Sequence, residues 1–484
     1  MKESKEYIIK ITGTGEEALP SDIESESVVE IDAKKEQDLV HKFDRKLLPM
    51  FAVVYFLSFL DRANIGNAKI AGMYEQLSLN DSQYSVAVSI FYVTYILCEV
   101  PAVLMLKKLG PHRFLCAVIC CWSLVTIFTA FVRDYWSLVL CRLLLGVEGA
   151  YFPAVLLMLS MVYKREEQTR RLSYLYVCSC FSGAFGGLIA TGITNIKPTG
   201  MMDSWSWLYI IEGCLSFIAA WWIFFCLPDD PANANFLNEE EKDIMKIREE
   251  QRKQYMGSSK FDKKEFFLAL KDPKLFISCT IQFCVDVVLY GYATFLPSIL
   301  KLQLGFDSMK AQYMTVPVYT VAAISVYSFS FLSDKKNVKS QIIFGVNGMG
   351  MVGYIILLTS SSAGANYFAT FLIAIPLYTS VALNITWLNN NMAPHYRRAT
   401  ALGFNQTFGN LAGVVAGQVY RAPPYKLGNG FSLGCTVVAM IFTSIMHVYL
   451  RSQNKEKEAI MNGDNEDKKV DRTGCDSLDF TYVY

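Results

Sequence analysis

The sequence predicts an all-α membrane protein with 12 transmembrane helices in two six-helix bundles. Of its 484 residues, 52% are hydrophobic and 18% are charged, whereas soluble domains contain about 25% charged residues. The chain contains twelve apolar runs with few charges. Each run has about 18 residues or more, which is the length of a helix that crosses a bilayer. Strands of a membrane barrel are about ten residues long and alternate in polarity, so the runs do not fit that class.

The apolar runs form two groups of six, separated by one long polar stretch. The first group is predicted at residues 47–70, 84–106, 114–132, 136–161, 172–194 and 205–227. The second group is predicted at residues 275–296, 313–332, 342–359, 367–387, 399–419 and 431–450. The stretch between them is interrupted by proline and then highly charged, so it is too polar to enter the lipid.

These runs divide the chain into five segments. We expect a disordered cytoplasmic tail over residues 1–45, because this part is acidic and poor in aromatic residues. The N-terminal bundle is predicted over residues 46–228 and a cytoplasmic connector over 229–273. The C-terminal bundle follows over residues 274–451, and a second cytoplasmic tail over 452–484.

The distribution of lysine and arginine predicts the orientation in the membrane. The loops after the second, fourth, eighth and tenth runs carry more of these residues than the opposite connections. Such loops stay in the cytoplasm, so both termini and the connector are expected there. The N-terminus is too polar for a cleaved secretory signal, and the first span would direct insertion. We expect a multi-pass monomer in the plasma membrane.

Composition argues against several classes of function. The formal net charge of +1 gives no basic field for nucleic acid. Twelve of the 13 cysteines lie in apolar runs without the spacing of metal ligands, and we interpret them as small buried hydrophobic residues. The sequence has no nucleotide-binding loop and no nucleophile beside an acid or base. We therefore expect neither an enzyme nor an ATP-driven pump, and no metal or cofactor.

Ionisable residues within the apolar runs are candidate functional residues, because each costs about 2.5–3.5 kcal/mol on insertion scales. Asp61 and Arg62 are adjacent, so they point about 100° apart on a helix. Asp61 is predicted to take up and release protons, and Arg62 to bind a substrate carboxylate through its planar fork. An internal ion pair that only orients the helix is the alternative.

Four further ionisable residues belong to this group. Arg142 is predicted either to bind the substrate carboxylate or to be a structural partner of Asp61. Glu148 is the better candidate for the proton carrier, because burial favours the uncharged form of a carboxyl group. Glu99 and Glu212 are interpreted as gate or packing residues.

The seventh run carries a polar stripe on an otherwise apolar helix. Gln282, Asp286 and Tyr290 follow one another at intervals of four residues and share one helix face. This face is expected to line the cavity between the bundles. Asp286 and Tyr290 are therefore candidate substrate-binding residues, although the stripe would also suit a water-filled pathway.

The eleventh run has two different faces. Gln406 and Asn410 are four residues apart and are predicted to line the cavity and bind substrate. Gly409, Gly413 and Gly417 form a second face, which is predicted to pack closely against another helix.

Several local stretches carry a family resemblance. They include YFLSFLDRANIGNAK from residue 55, RLLLGVEGAYFPA from residue 142 and NNNMAPHYRRATALGFNQTFGNLAG from residue 389. With the six-plus-six layout, they resemble the anion:cation symporter family of the major facilitator superfamily, and within it the fungal allantoate permease-like branch. Members of that branch take up allantoate, nicotinate, pantothenate or biotin-like acids. The resemblance covers about residues 44–451 and implies the major facilitator fold.

One departure from the family pattern bears on the candidate site. The family separates an arginine and a glutamate of the fourth helix by seven residues, whereas Arg142 and Glu148 are six apart. On a regular helix this leaves the two side chains about 120° apart. Either a local π-bulge, made easier by Gly146, restores the alignment, or the two groups have separate roles. Asn64, in the first of the resembling stretches, is a further candidate substrate-binding residue.

The predicted function is proton-coupled symport of a small organic anion, a carboxylate or ureide-type nutrient such as nicotinate, allantoate or a vitamin acid. The two bundles would rock around a site at the midplane to give alternating access. The expected partners are the small organic anion, protons and the lipid bilayer. A nutrient sensor without transport and an uncoupled uniporter of the same ligand remain as alternatives.

Overall fold

The computed structural model describes residues 32–194, 196, 202–256, 263–393, 395–462, 475, 477, 478 and 480–484, and this part is almost wholly helical. Its twelve long helices are α1 (Ala33–Ala68), α2 (Asp81–Leu109), α3 (Pro111–Thr129), α4 (Tyr135–Val162), α5 (Arg165–Thr194), α6 (Ser204–Cys226), α7 (Pro273–Leu302), α8 (Thr315–Lys336), α9 (Lys339–Thr359), α10 (Ala363–Asn390), α11 (His395–Val419) and α12 (Lys426–Met461). The predicted all-α fold with twelve long helices is confirmed.

Ten of the helices in the described part are long and apolar enough to cross a membrane. The helix α11 is not among them, because its asparagine, glutamine and glycine residues lower its hydropathy, and it packs against α2 between the two halves of the molecule. The interior position of α11 explains its polarity, because a helix that faces protein on most sides does not need an apolar surface all round.

Short polar residues and prolines fix where several helices begin. Asp32 caps α1 by accepting a hydrogen bond from a backbone N–H of the first turn. Asn80 and Gln83 form a reciprocal capping box at the start of α2. Pro273 occupies the first turn of α7, where no intrahelical partner for its nitrogen is needed. Such residues satisfy backbone groups that the helix itself leaves unpaired.

The membrane helices turn their polar residues inward and their apolar residues outward. In α6, Glu212 and Ser216 are fully buried, whereas Ile218 and Phe225 are 65% and 76% exposed. Lipid tails solvate such outward side chains as well as a protein core does, so the driving force that buries them in water is absent. Polar groups, in contrast, must find partners inside the bundle.

The twelve helices form two halves, α1–α6 and α7–α12. Within the halves, α3 packs against α6, and α9 packs against α10 and α12. Across the halves, α1 packs against α7, α2 against α11 and α5 against α8. We call the end of the bundle at which α1 begins and α12 ends the terminal face, and the opposite end the far face.

The predicted glycine face of α11 packs against neighbouring helices. A Cβ atom at Gly413 would lie 2.3 Å from the ring of Tyr92, and one at Gly417 would lie 2.4 Å from Oγ of Ser89, both on α2. At Gly409 the nearest atom is a carboxylate oxygen of α7. The absence of side chains at these positions therefore permits the close contact between the two halves.

The two halves meet at the far face. The Nζ atom of Lys301 and the Oγ atom of Ser308 each donate to the carbonyl oxygen of Ile70, at 3.1 Å in both cases. The rings of Tyr84 and Phe295 meet edge to face with centroids 6.1 Å apart. These contacts join the N-terminal and C-terminal halves, so the far face is closed in this conformation.

The helix α1 begins earlier than the composition suggests. It starts at Ala33, so residues 33–45, which we predict as part of a disordered tail, are helical; residues 1–31 lie outside the described part. This extension is held by Arg171 of α5, whose Nη2 atom lies 2.8 Å from Oδ2 of Asp44. The ion pair gives the polar end of α1 a tertiary partner that its local composition does not reveal.

The connector is also more ordered than a solvated linker. It contains two helices, Glu239–Met256 and Lys263–Lys271. Arg248 of the first connector helix is buried and contacts the carboxylate of Glu36 in α1, and its Nη2 atom lies 2.7 Å from Oε2 of Glu167 in α5. The first connector helix therefore packs on the terminal face of the N-terminal half.

Residues 480–484 pack on the terminal face of the C-terminal half. The carbonyl oxygen of Val483 accepts hydrogen bonds from Nε1 of Trp387 and Nδ2 of Asn391, both at 2.8 Å. The predicted tail over residues 452–484 therefore includes a part that is packed on the C-terminal half. Each half is thus covered on the terminal face by a packed segment that we call a strap. The strap of the N-terminal half is the helix Glu239–Met256, and that of the C-terminal half is residues 480–484.

Candidate substrate and proton site

The first helix presents two polar faces, because its polar residues are three and four positions apart. Ser58 and Arg62, one turn apart, face α2 and α4. Asp61 and Asn64 face α6. Arg62 forms its ion pair with α4 and not with Asp61. The two adjacent charged residues therefore belong to different sites, as their 100° separation predicts.

Arg62 is the centre of a buried network. Its Nε atom lies 3.0 Å from Oε1 of Glu148, and its Nη2 atom donates to the hydroxyl of Tyr95 at 3.0 Å and to that of Ser58 at 3.2 Å. The hydroxyl of Ser58 also donates to Oε1 of Glu148. Arg62 is 9% exposed and Glu148 is fully buried, so each charge depends on the other for compensation.

Glu148 reaches α1 because α4 is wound more tightly at its centre. Residues Gly146–Ala150 form a 3-10 turn, so the alternative of a π-bulge is not the one found here. The reason is geometric: six residues must cover the rotation of seven, and a 3-10 turn adds about 20° per residue whereas a π-bulge unwinds the helix. Gly149 permits the tight contact with α2, because a Cβ atom there would lie 2.3 Å from the carbonyl oxygen of Tyr95.

Arg142 contacts a different neighbour. Its Nε atom donates to the carbonyl oxygen of Ala87 in α2 at 3.3 Å, and its guanidinium carbon lies 5.2 Å from the ring centroid of Phe91. It is 2% exposed, and its Nη1 atom has no hydrogen-bond partner among the described residues. Arg142 and Glu148 therefore have separate contacts, and Arg142 packs against the backbone of α2.

A cavity of about 30 Å³ lies between the two halves at mid-depth. Both halves contribute to its wall, which consists of Tyr55, Phe59, Arg62, Tyr95, Tyr151, Phe152, Tyr176, Asp286, Leu289, Tyr290, Tyr378, Val381, Gln406 and Asn410. One buried water needs about 10–15 Å³ of such space. This conformation therefore has room for a few waters but not for an organic substrate.

Aromatic rings form most of the cavity wall on the side of the N-terminal half. The ring centroid of Tyr55 lies 6.3 Å from that of Tyr151 and 6.1 Å from that of Tyr176, both in edge-to-face arrangements. Behind this wall, the buried indole of Trp122 lies 5.4 Å from the ring of Tyr151. Rings in these arrangements present flat faces and polar edges to whatever enters.

The guanidinium of Arg62 is itself packed between rings. Its central carbon lies 4.7 Å from the centroid of Phe59 and 4.7 Å from that of Tyr95. Both contacts are within the range of cation–π attraction. The positive charge is therefore held at the cavity wall by rings as well as by its carboxylate partner.

The polar stripe of α7 lies inside the C-terminal half. The amide of Gln282 donates to Oδ2 of Asp286 at 2.8 Å, and Oε1 of Gln282 accepts from Nδ2 of Asn384 in α10 at 2.8 Å. Asp286 is buried at the cavity wall. This chain of amides orients the carboxyl group of Asp286 toward the cavity region.

A second polar chain crosses between the halves. The hydroxyl of Tyr290 donates to Oδ1 of Asn410 at 2.9 Å, and Nδ2 of Asn410 donates to Oε1 of Glu99 in α2 at 3.0 Å. Glu99 of the N-terminal half thus contacts α11 of the C-terminal half. Opening the halves at this depth must break this contact.

The structure brings most of the predicted substrate residues to one place. Arg62, Asp286, Tyr290, Gln406 and Asn410 line the cavity, and Glu148 is bonded to Arg62 at its edge. The remaining candidates, Arg142, Asn64 and Asp61, do not line the cavity.

Sequence reasoning missed much of the aromatic wall. Phe59, Tyr95, Tyr176 and Tyr378 line the cavity but were not among the candidates. Phe59 precedes Arg62 by three residues, so helical spacing alone places the ring beside the guanidinium. Tyr176 and Tyr378 have no comparable local signal, because the chain contains 27 tyrosines.

Comparison with known proteins connects this arrangement to a family. The sequence matches the model of the Major Facilitator Superfamily over residues 51–417. The chain belongs to the major facilitator superfamily. The resemblance noted from the sequence is confirmed, and among its relatives are several fungal transporters.

Two of these fungal relatives cover nearly the whole chain. An uncharacterized transporter of Schizosaccharomyces pombe is 63% identical over 456 residues, which cover 94% of this chain and 95% of the relative. The high-affinity nicotinic acid transporter of Saccharomyces cerevisiae is 34% identical over 435 residues, which cover 89% of this chain and 81% of the relative.

A solved structure shows the same fold. A bacterial homologue of the human lysosomal transporter Spinster, in an inward-facing and occupied conformation, matches with a TM-score of 0.65 at 14% sequence identity. The match covers 84% of this chain and 97% of that structure. The superfamily member described here is therefore a multi-pass membrane transporter of a small molecule and not an enzyme.

Proposed function

We propose that this transporter is a proton-coupled symporter of a small organic carboxylate, with an aromatic acid such as nicotinate as the first candidate. The observation that carries the proposal is the pairing of Arg62 with Glu148 at the edge of an aromatic cavity. A guanidinium binds a carboxylate through two parallel hydrogen bonds, and rings bind a flat substrate by stacking.

The pair supplies a mechanism of coupling. With Glu148 ionised, Arg62 is neutralised by an internal carboxylate and has little attraction for a second one. A proton on Glu148 cancels that charge, and Arg62 then becomes available to the substrate carboxylate. Proton and substrate therefore favour each other's binding, which is reciprocal coupling between two sites. A carrier that holds both proton and substrate has no net charge at Arg62, Glu148 and the substrate, whereas a carrier with substrate alone would bury one net negative charge there.

Alternating access would follow from movement of the two halves. The far face is closed by contacts such as that of Lys301 with Ile70, and the cavity of about 30 Å³ is too small for the substrate. The conformation thus corresponds to a carrier that must open before it binds. We propose that the terminal face is cytoplasmic, that the chain lies in the plasma membrane and that it acts as a monomer.

The similarity to the nicotinic acid transporter of S. cerevisiae supports the substrate class. A pyridine ring with one carboxylate matches the combination of Arg62 with the surrounding tyrosines and Phe59. A ureide such as allantoate lacks the aromatic ring, so we expect the cavity to favour ring-containing acids.

Uptake of radiolabelled nicotinate by yeast cells without their own nicotinate carrier tests the proposal. We expect accumulation above equilibrium when the outside is acidic and loss of accumulation when a protonophore removes the gradient. Unlabelled allantoate, pantothenate and biotin serve as competitors. Uptake that only equilibrates would indicate the uniporter, and binding by purified protein without uptake would indicate the sensor. Absence of both binding and uptake for all four acids would contradict the substrate class.

A further inference from the structure

A second polar layer lies between α1 and α6, outside the cavity. Nδ2 of Asn64 donates to Oε2 of Glu212, and one turn away Oγ of Ser216 donates to Oδ2 of Asp61 at 3.4 Å. Asp61 and Asn64 are three residues apart on α1, and Glu212 and Ser216 are four apart on the antiparallel α6. The side chains therefore form two pairs between α1 and α6, Asp61 with Ser216 and Asn64 with Glu212, and each pair contains one carboxyl group.

This layer is buried and has unused hydrogen-bonding capacity. Asp61, Asn64 and Glu212 are each at most 1% exposed. One oxygen of each of these three side chains, Oδ1 of Asp61, Oδ1 of Asn64 and Oε1 of Glu212, has no hydrogen-bond partner among the described residues. Buried oxygens that accept nothing are costly, so these atoms mark a place for a positively charged or hydrogen-donating ligand.

The two carboxyl groups also have no ion-pair partner. No lysine or arginine nitrogen of the described residues lies within 4.0 Å of either Asp61 or Glu212, in contrast to Glu148 with its Arg62. Two neighbouring carboxylates in a buried site do not both ionise without a compensating charge. The pair therefore needs a cation, and a proton is the smallest one that fits without displacing any side chain.

Neither carboxyl group of this site lines the cavity, but charged groups of a neighbouring helix act on it. The charged and titratable groups that act on the acidic pair are Glu148 and Arg142 of α4 and Tyr209 of α6. The hydroxyl of Tyr209 and Nη1 of Arg142 also have no hydrogen-bond partner in the described part of the chain. Arg142 supplies a positive field from the side of α2, but it is held there by the backbone and does not close onto either carboxyl group.

We propose that Asp61 and Glu212, which we call the acidic pair, hold one proton between them at a site separate from the substrate cavity, with Glu212 as a coupling residue. The proposal rests on the proposed symport and adds to it a second group, on α6, that responds to proton concentration. Asn64 acts as a positioning residue, because its amide stabilises the ionised form of Glu212. The pair titrates as a unit, so neither residue alone owns the proton.

The test is the pH dependence of nicotinate uptake for three variants. Glu212→Gln removes one negative charge beside Asp61, so the remaining carboxyl group binds a proton less readily. We expect the pH at half-maximal uptake to move to lower pH by about one unit, a tenfold change in proton concentration. Asp61→Asn should move it in the same direction, because the two residues are equivalent members of the pair.

Asn64→Ala should have the opposite effect. It removes the donor that stabilises the Glu212 carboxylate, so the protonated pair is favoured and the half-maximal pH should rise. A residue that only packs the helices would not give shifts of opposite sign. Asn347→Ala is the matched control, since Asn347 is also a buried amide but donates to Ser380 within the C-terminal half, and its variant should keep the wild-type pH dependence.

Exchange of labelled for unlabelled nicotinate shows whether each variant is folded and binds substrate. If Glu212→Gln exchanges normally and keeps the wild-type pH dependence, the acidic pair is refuted while the symport stands. If wild-type uptake itself ignores pH, the proposed function fails instead. Accumulation driven by a sodium gradient and abolished in Glu212→Gln would assign the site to a metal cation and overturn the proton. Should Glu212→Gln fail to fold, the opposite shifts of Asp61→Asn and Asn64→Ala decide the question.

Discussion

At the scale of single residues, the ion pair of Arg62 with Glu148 makes the strongest prediction. Glu148→Gln mimics the protonated carboxyl group and leaves Arg62 permanently free for the substrate carboxylate. We expect this variant to bind nicotinate and exchange it across the membrane, but to lose accumulation driven by a pH gradient. Counterflow and gradient-driven uptake, measured on the same vesicles, separate the two activities.

Asp243→Asn is the control, because that exposed carboxylate lies in the first connector helix and does not touch Arg62. It should keep gradient-driven accumulation. Wild-type accumulation by Glu148→Gln would contradict the coupling role assigned to Glu148.

The two buried arginines are expected to respond differently to lysine. Arg62→Lys replaces a planar fork by a single ammonium group and loses contacts to Tyr95, Ser58 and Glu148. We expect nicotinate affinity to fall at least tenfold, or by about 1.4 kcal/mol. Arg142→Lys should lower the amount of folded protein but leave the Michaelis constant near the wild-type value, because Arg142 does not line the cavity.

Transport kinetics and binding of labelled nicotinate distinguish these outcomes. An unchanged affinity in Arg62→Lys would remove Arg62 from the substrate site. A large rise in the Michaelis constant of Arg142→Lys would place Arg142 at the substrate in a conformation other than this one.

At the scale of helices, the contact between α2 and α11 sets how the halves close. Gly413→Ala would place a methyl group 2.3 Å from the ring of Tyr92, so the two helices must separate. We expect the closed far face to be destabilised and the turnover rate to fall about tenfold, because every cycle passes through that state. Gly434→Ala, at a position with no atom within 4 Å, is the matched control and should transport normally.

Initial rates of nicotinate exchange at saturating substrate provide the measurement. Equal rates for Gly413→Ala and the wild type would mean that α2 and α11 accommodate the methyl group without any effect on turnover. A loss of rate in Gly434→Ala as well would point to a general effect of alanine in these helices rather than to the packing of α2 on α11.

Features that belong to a single helix could be predicted from the sequence. The twelve helices followed from the length of the apolar runs, because the bilayer imposes a fixed span on every helix. The separation of Asp61 and Arg62 onto different faces of α1 followed from helical spacing. Such features depend on one element at a time.

Features that depend on two elements were harder to predict. The partner of Glu212 is Asn64, on a helix almost 150 residues away, and nothing in either local sequence indicates the contact. The 3-10 turn at Gly146–Ala150 reflects the need of α4 to reach both α1 and α2. The six-residue spacing of Arg142 and Glu148 indicates irregular winding there, but the π-bulge considered from it would loosen the helix, whereas the 3-10 turn tightens it. The aromatic wall, with Tyr176 and Tyr378 from opposite halves, exists only after the bundle has assembled.

At the scale of the whole molecule, the straps on the terminal face contribute stability. Arg248 is 5% exposed and joins the first connector helix to Glu36 and Glu167. Arg248→Ala removes hydrogen bonds to charged groups and should cost about 1–3 kcal/mol, seen as a lower unfolding temperature of the purified protein. Lys246→Ala, which breaks only an exposed pair with Asp243, should unfold at the wild-type temperature.

The pH dependence of this strap has a defined sign. Partial burial raises the pKa of Glu36, but Lys164 and Arg248 outweigh it and hold that pKa below its ordinary value of 4.5. The contribution of Glu36 to stability is therefore present above pH 4.5 and is lost as the pH falls through the lowered pKa. We expect the difference in unfolding temperature between wild type and Arg248→Ala to be present at pH 7 and to shrink in acid. A difference that grows in acid would contradict this assignment.

The edge-to-face contact between Trp122 and Tyr151 has a consequence for fluorescence. The hydroxyl of Ser58 donates to Glu148 and lies 3.0 Å from the hydroxyl of Tyr151, from which it can accept, so a short chain of contacts joins the indole to the carboxyl group. Indole fluorescence is sensitive to nearby charge, and Trp122 is fully buried from water quenchers. A protein that retains Trp122 as its sole tryptophan would therefore report the charge of Glu148 by its emission, without a dye, a label or a transported substrate.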